Sequence, residues 1–286
     1  MKRLSDIGTI KEILGRHGFT FSKALGQNFL VNPSVCPRMA ECSGAGAGVG
    51  VLEIGPGIGV LTNELCRLAD KVVAVELDSR LLPVLDETLA EYDNVKIVNG
   101  DVLKLDLNKL IKEEFDGLEV VVCANLPYYI TSPVIMKLLE DRLPVSAVTV
   151  MVQKEAAQRI CAPVGSRDCG AVTVSVNYYA KPKMLFGVSA GSFMPAPKVD
   201  SAVIRLEILK EPPVETDEKT FFRVVKAAFS QRRKVIANSL CSGLGKDKAV
   251  VTRLLEEAGV PANARAEQLT LDDFAAIANQ INGGAL

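Results

Sequence analysis

A single histidine, His17, stands in 286 residues, and that scarcity removes whole classes of chemistry. Zinc sites, and serine or cysteine nucleophiles that rely on an imidazole base, have almost no material to work with. His17 itself reads as a surface or packing residue. The seven cysteines are odd in number and include no C-x-x-C pair, which argues against a disulfide framework. No signal-like apolar segment follows Met1-Lys2-Arg3, so the expected compartment is reducing, the cytoplasm. Uncharged apolar runs such as residues 145–152 have strand length and fall far short of the roughly 20 residues of a membrane span. Excess charge is missing too. With a net charge of −1, a nucleic-acid partner has to be held by a local basic patch and not by the bulk of the chain. The sequence shows no internal repeat and no low-complexity tract.

What is present is organised around V-L-E-I-G-P-G-I-G, residues 51–59. A short apolar run reads as a buried parallel strand, stops at Gly55, Gly57 and Gly59, and passes into a periodic helix over 60–69. Glycines spaced this way suit a turn with positive φ against which a ligand comes closer than a Cβ would permit. A dinucleotide fingerprint wants G-x-G-x-x-G, but the third glycine comes one residue early and Val60 holds its place. Glu53, inside the strand end, repels a pyrophosphate and welcomes a cation. The loop, Gly55 and Gly57 with Glu53 behind them, suits a positively charged ligand such as a sulfonium or an amine.

The rest of the chain alternates. An amphipathic helix over 7–18 precedes the mixed segment 23–30, read as a binding loop or strap, and a helix from about residue 32 or 33 to 42 leads to the central strand. Strands are expected at 72–76, 95–99, 120–124 and 145–152, and helices at 79–92, with Pro83 in its first turn, and at 154–162. A weak helix ends near Asp116, and another opens at Ser132-Pro133 with serine as N-cap. Such an array builds a parallel sheet with helices on both faces. Residues 171–179 alternate valines and read as a strand by propensity, while 184–189 and 202–209 suit an antiparallel edge pair. Composition shifts to a linker at E-P-P-V-E, 211–215, and helices are expected at 218–229, 233–240, 246–258 and 271–282. Two domains follow, 1–210 and a small helical one at 211–286, the latter suited to gripping a partner.

In an open α/β sheet, ligands bind outside the carboxyl ends of the strands, so residues at those ends share one crevice. Glu76 ends the second strand 21 residues after Gly55, where an acid can take both ribose hydroxyls. Asp101 follows the next strand, placed to accept from an adenine amino group. The fourth ends in Asn125-Leu126-Pro127-Tyr128-Tyr129. Proline fixes that turn and removes a donor, so the turn carbonyls and the Asn125 side chain can accept from one planar amine while a tyrosine offers a face for stacking.

On these residues the chain resembles the S-adenosylmethionine-dependent N6-adenine methyltransferases. Within them it is similar to the ribosomal RNA adenine dimethyltransferases that act on two adjacent adenosines near the 3′ end of small-subunit rRNA. The likeness runs through G-Q-N-F-L (26–30), E-I-G-P-G-I-G (53–59), E-L-D (76–78), G-D (100–101), N-L-P-Y-Y-I (125–130), F-M-P-A-P-K-V-D-S (193–201) and the basic Q-R-R-K (231–234). It implies a Rossmann-like class I methyltransferase sheet with a C-terminal helical RNA-binding domain, and a helix at 171–179. It implies S-adenosylmethionine contacts from Asn28, Leu30, Gly55, Glu76, Asp101 and Asn125, and RNA contacts from Lys198, Arg232, Arg233 and Lys234. The expected partner is small-subunit rRNA, within a pre-assembled 30S particle, met by a monomer.

Chemistry in such a site works on the amine. The adenine amino lone pair is delocalised into the ring, whereas a methyl sulfonium is already a strong electrophile. Asn125 Oδ1 and the Leu126 or Pro127 carbonyl would accept its two N–H bonds, with Tyr128 on one face of the base and Phe193 on the other. Three alternatives share parts of the pattern: a large-subunit rRNA methyltransferase, a non-catalytic assembly or transcription factor, and an NAD oxidoreductase. The first shares the core motifs, but the N-L-P-Y-Y-I form and the helical tail favour the small subunit; the second would have lost Asn125 or the glycine loop, and the third is disfavoured by the early third glycine and by Glu53.

Overall fold

The computed structural model describes residues 4–20, 27–231 and 233–285. Met1, Lys2 and Arg3, residues 23–26 of the mixed segment and Arg232, all drawn on above, lie outside the described residues. In chain order the elements are α1 (Ile7–Arg16), β1 (Phe29–Leu30), α2 (Val35–Ser43), β2 (Val49–Ile54), α3 (Val60–Cys66), β3 (Lys71–Glu76), α4 (Leu82–Thr88), β4 (Val95–Asn99), α5 (Leu107–Glu114), β5 (Glu119–Asn125), α6 (Thr131–Glu140), β6 (Ala147–Gln153), α7 (Lys154–Ile160), α8 (Ala171–Tyr179), β7 (Ala180–Val188), β8 (Phe193–Met194), β9 (Ser201–Ile208), α9 (Glu218–Ala228), α10 (Ile236–Leu244), α11 (Lys248–Glu257) and α12 (Leu271–Gln280). By internal contacts they fall into two units, residues 1–157 with 183–208, and residues 158–182 with 209–286. The second unit thus takes in a stretch, 158–182, that the sequence division at 210 leaves with the first.

The first unit is built on a seven-stranded sheet of order β4-β3-β2-β5-β6-β9-β7. Strands β4 to β6 are parallel, as the β/α alternation requires, but β9 runs antiparallel to β6, so the sheet is mixed. The expected edge pair is present as the neighbours β9 and β7. Strand order reverses between β2 and β5, the switch point at which such sheets open a crevice. Val51, Val72, Val121 and Ala147 pack against Met39 of α2 and Leu61 and Leu65 of α3. Their neighbours Leu52, Val73, Val122 and Val148, which point to the other face, are equally buried. Strands covered on both faces read as continuous apolar runs, which is why they were legible. Each such side chain contributes roughly 1.5–3 kcal/mol by leaving water.

Several local expectations are corrected. The stretch 171–179 is helix α8, with Val174, Val176, Tyr178 and Tyr179 buried, so packing overrides the strand propensity of its valines, as the family resemblance implied. Helix α6 begins at Thr131 with Ile130 as N-cap, and Ser132 sits inside its first turn. Residues 79–81 form a 3-10 turn before α4, whose first turn holds Pro83. Helix α10 starts at Ile236, so Arg233 and Lys234 lie in the turn before it, exposed, and not on a helix.

In the second unit, α9 presents Phe221, Val224, Val225 and Ala228 to a core that includes Tyr178, Phe229 and Phe274. Gly243 of α10 lies so close to α9 that a Cβ there would sit 2.5 Å from the Ala227 Cβ, which only glycine avoids.

Candidate active site

Register sets the site. Glu76 pairs with Asn99 across β3 and β4, while Ile54 pairs with both Val75 and Ala124, so the carboxyl ends of β2, β3, β4 and β5 stop on one edge. Gly55, Glu76, Asp101 and Asn125, far apart in sequence, therefore line a single cleft, together with Asn28, Leu30, Glu53, Gly57, Leu126, Pro127, Tyr128 and Phe193.

The glycine turn is left-handed at Gly55 (φ 70°) and Gly57 (φ 63°), a conformation that L side chains rarely adopt. A Cβ on Gly57 would stand 3.2 Å from the Phe29 ring, whereas one on Gly55 would meet nothing within 4 Å and would project into open space. The Gly57 N–H donates to Glu76 Oε2 at 3.2 Å, and the Asp78 N–H to Glu76 Oε1 at 2.8 Å. Glu76 is 6% exposed, and burial pushes its carboxyl up while these two N–H donors pull it back. Asp78 in turn accepts from Arg80 Nε and Nη2 at 2.8 and 2.6 Å and from Gln27 Nε2 at 2.9 Å. The Arg80 guanidinium holds the Asp78 carboxyl below its ordinary range.

Glu53 is the most buried acid of the cleft, at 1% exposure, and burial pushes its carboxyl up to about 8. Thr62 pulls the other way, but its hydroxyl makes no hydrogen bond of good geometry, and Glu53 Oε2 is left without a partner. Asp101 Oδ1 accepts from the Leu103 N–H at 3.0 Å, and Lys104 Nζ lies 3.5 Å from Oδ2.

Asn28 and Leu30 are brought in by a two-stranded antiparallel ribbon of β1 and β8, in which Leu30 pairs with Phe193. Phe193 is 4% exposed and shares a core cluster with Leu30 and Met151. At the end of β5 the Leu126 N–H donates to the Met151 carbonyl at 3.3 Å. The Pro127 carbonyl accepts from the Ile130 N–H at 3.1 Å and from Thr131 Oγ1 at 3.4 Å. The Tyr128 hydroxyl is 2.6 Å from Ser201 Oγ, and Tyr129 is 56% exposed.

Lys198 lies in an exposed bend after β8 and is not among the cleft-lining residues, while Arg233 and Lys234 belong to the helical unit. Sequence reading gave no role to Gln27 and Ser201, which it met only inside motifs, or to Arg80; all three hold other side chains. The E-L-D triplet carried a hint of Asp78.

An orphaned carboxylate oxygen beneath the cleft, open space where Gly55 lacks a Cβ, and acids at the ends of β3 and β4 fit an adenosine that carries positive charge. The sheet order, the glycine turn and these acids define a class I S-adenosylmethionine-dependent methyltransferase. The sequence narrows this further: a family model described as ribosomal RNA adenine dimethylase matches residues 18–283, and the chain belongs to that family. A protein named ribosomal RNA small subunit methyltransferase A from Geobacillus thermodenitrificans (strain NG80-2) is 47% identical over 98% of this chain and 97% of its own. One of the same name from Oceanobacillus iheyensis is 48% identical over 94% of this chain and 93% of its own. Among solved structures, a dimethyladenosine transferase from Plasmodium falciparum matches with a TM-score of 0.75 at 26% identity, over 89% of this chain and 98% of that one. The 23S rRNA methyltransferase ErmE matches with a TM-score of 0.67 at 28% identity, over 89% of this chain and all of that one, at 100%.

Proposed function

We propose that the protein dimethylates the N6 amines of two adjacent adenosines near the 3′ end of 16S rRNA, which it meets in the cytoplasm, as a monomer, within a pre-assembled small-subunit particle. Choice of the small subunit rests on the 47% and 48% identity to proteins named for it, against 28% to the 23S enzyme. The single observation that carries the chemistry is that Asn125, Leu126, Pro127 and Tyr128 share one cleft with the glycine turn, Glu76 and Asp101.

S-adenosylmethionine, when bound, supplies an electrophilic methyl group. Glu76, with its carboxylate already fixed by two N–H donors, faces the ribose hydroxyls, Asp101 the adenine amine, and Glu53 the positive charge. Asn28 and Leu30 close the cleft from the ribbon. Asn125 Oδ1 accepts one N–H of the target amine. Because the Pro127 carbonyl is engaged by Ile130 and Thr131, the Leu126 carbonyl is the better second acceptor. Two acceptors favour a pyramidal nitrogen, and both bonds strengthen as positive charge develops there. A general base is unnecessary, since a methylated aromatic ammonium gives its proton to water. Tyr128 stacks on one face of the extruded base and Phe193 borders the other. Lys198, Arg232, Arg233 and Lys234 contact the RNA backbone.

Tritiated cofactor, purified small subunits lacking the modification and mapping of the labelled nucleotides test this reading. Label at two neighbouring adenosines near the 3′ end is the expected result; label elsewhere, or in large subunits only, overturns it.

A further inference from the structure

The near-zero net charge conceals a split. The helical unit carries 14 lysines and arginines against 11 acids, and the sheet unit 19 against 23, which together make the 33 and 34 of the chain. Part of that excess lies on α9. Its buried face is Phe221, Val224, Val225 and Ala228, and its exposed face carries Lys219, Arg223 and Lys226 at i, i+4 and i+7. Those spacings put the three cations in one stripe, each next to another of like sign, an arrangement that weakens a helix.

Several other helices set an acid against a cation. Helices α1, α5 and α11 set an acid four residues from an exposed cation, in the pairs Glu12–Arg16, Lys109–Glu113 and Arg253–Glu257, and Lys137 of α6 pairs with Asp141 just past its end. On α9 the nearest acids form no ion pair with the stripe: Asp217 caps the helix through the Thr220 N–H at 2.8 Å and feels Lys219 and Arg223 only at longer range, and Glu218 accepts from the Tyr179 hydroxyl at 2.7 Å. Among the described residues, Lys219, Arg223 and Lys226 make no ion pair, and Arg233 and Lys234, exposed in the turn beyond the helix, continue the same sign.

We propose that Lys219, Arg223 and Lys226 form a track roughly 10 Å long for the phosphodiester backbone of the substrate RNA, extending the Arg233-Lys234 turn along α9. This rests on the small-subunit reading above. Phosphates supply the missing counter-charge and relieve the like-charge repulsion that the free helix carries. Such contacts grip without reading sequence, which suits a substrate whose target base is chosen elsewhere.

The test measures binding of unmodified small subunits across a series of salt concentrations. Replacing Lys219, Arg223 and Lys226 together with glutamine should lower the slope of log affinity against log salt by about two, since each lost phosphate contact removes roughly 0.7–0.9. KM for subunits should rise with kcat and S-adenosylmethionine affinity kept. Lys219→Glu separates function from folding. It sets a carboxylate four residues ahead of Arg223 in the first turn, so melting temperature should hold or rise while subunit binding weakens. A wild-type slope in the triple variant, with Arg233→Gln/Lys234→Gln still lowering it, overturns the track alone. A wild-type enzyme without salt-dependent subunit binding overturns the small-subunit reading, and the track with it.

Discussion

The hydroxyl of Tyr128 and that of Ser201, 73 positions apart, meet at 2.6 Å, and Ser201 is fully buried at 0% exposure. The first residue of β9 therefore fixes the ring proposed above to stack on the target base. Tyr128→Phe keeps the ring but leaves the Ser201 hydroxyl unpartnered, so stability should fall by about 1–3 kcal/mol while most turnover is kept. Adding Ser201→Ala removes the orphan and should recover stability, since losing both partners is nearly neutral. Tyr128→Ala should lose about 1–3 kcal/mol of stacking and with it capture of the base. Thermal melts and steady-state kinetics on the three variants check the pattern, and a double variant less stable than Tyr128→Phe contradicts it.

Cofactor affinity should depend on Glu76. Glu76→Ala removes the acceptor for ribose and strands the Gly57 and Asp78 N–H groups, so S-adenosylmethionine should bind one to two decades more weakly, for roughly 1.5–3 kcal/mol of charge-assisted hydrogen bonding. Titration calorimetry reads it directly. Wild-type affinity would remove Glu76 from the site.

Glu53 makes binding pH-dependent in a fixed direction. Its carboxyl, ordinarily near 4.5, is pushed up to about 8 by burial, so at neutral pH the free protein holds a proton that a cationic ligand must displace. Affinity for S-adenosylmethionine should rise by up to tenfold per pH unit toward about pH 8 and then level off, with a proton released on binding at pH 7. For the fold the sign is opposite: a raised carboxyl favours folding most below about 4.5, and that benefit is lost as pH passes about 8. Calorimetry in buffers of different ionisation heats counts the proton. Glu53→Gln should flatten the profile, and an unchanged profile would show that another group titrates.

Chemistry and binding should separate at Asn125. Asn125→Ala removes one of two acceptors for the amine, so turnover should drop by about two to three decades, with subunit affinity little changed because phosphate contacts supply most of it. The monomethylated amine keeps only one N–H, so Asn125→Ser should also shift the ratio of mono- to dimethyladenosine. Mass spectrometry of digested RNA at partial conversion shows the ratio. Wild-type turnover in Asn125→Ala would end the two-acceptor mechanism.

The parallel part of the sheet was legible because its strands are buried on both faces, and a strand buried twice leaves an apolar run bounded by turn residues. Glu76, Asp101 and Asn125 were legible for a related reason: they stand where those runs stop. What periodicity could not show is pairing at a distance. The ribbon of Phe29–Leu30 with Phe193–Met194 is two residues long on each side, below any pattern. Helix α8 was misread by propensity because its buried residues meet partners outside it, as Tyr178 meets Phe221, whose identity is set by the fold and not by the segment. Arg233 and Lys234 were placed on a helix that starts three residues after Arg233, with Val235 as N-cap, a position that no serine, threonine, aspartate or asparagine marks.

That short ribbon also sets an order of events during synthesis. By the time residue 153 has been made, the nascent chain holds β2 to β6, the glycine turn, Glu76, Asp101 and Asn125. Phe29 and Leu30 still have no strand to pair with, and Tyr128 has no Ser201 to fix its ring. One wall of the cleft is completed only when residues 193–201 follow, some forty residues later. Synthesis thus supplies the acids of the cleft well before the residues that complete its wall.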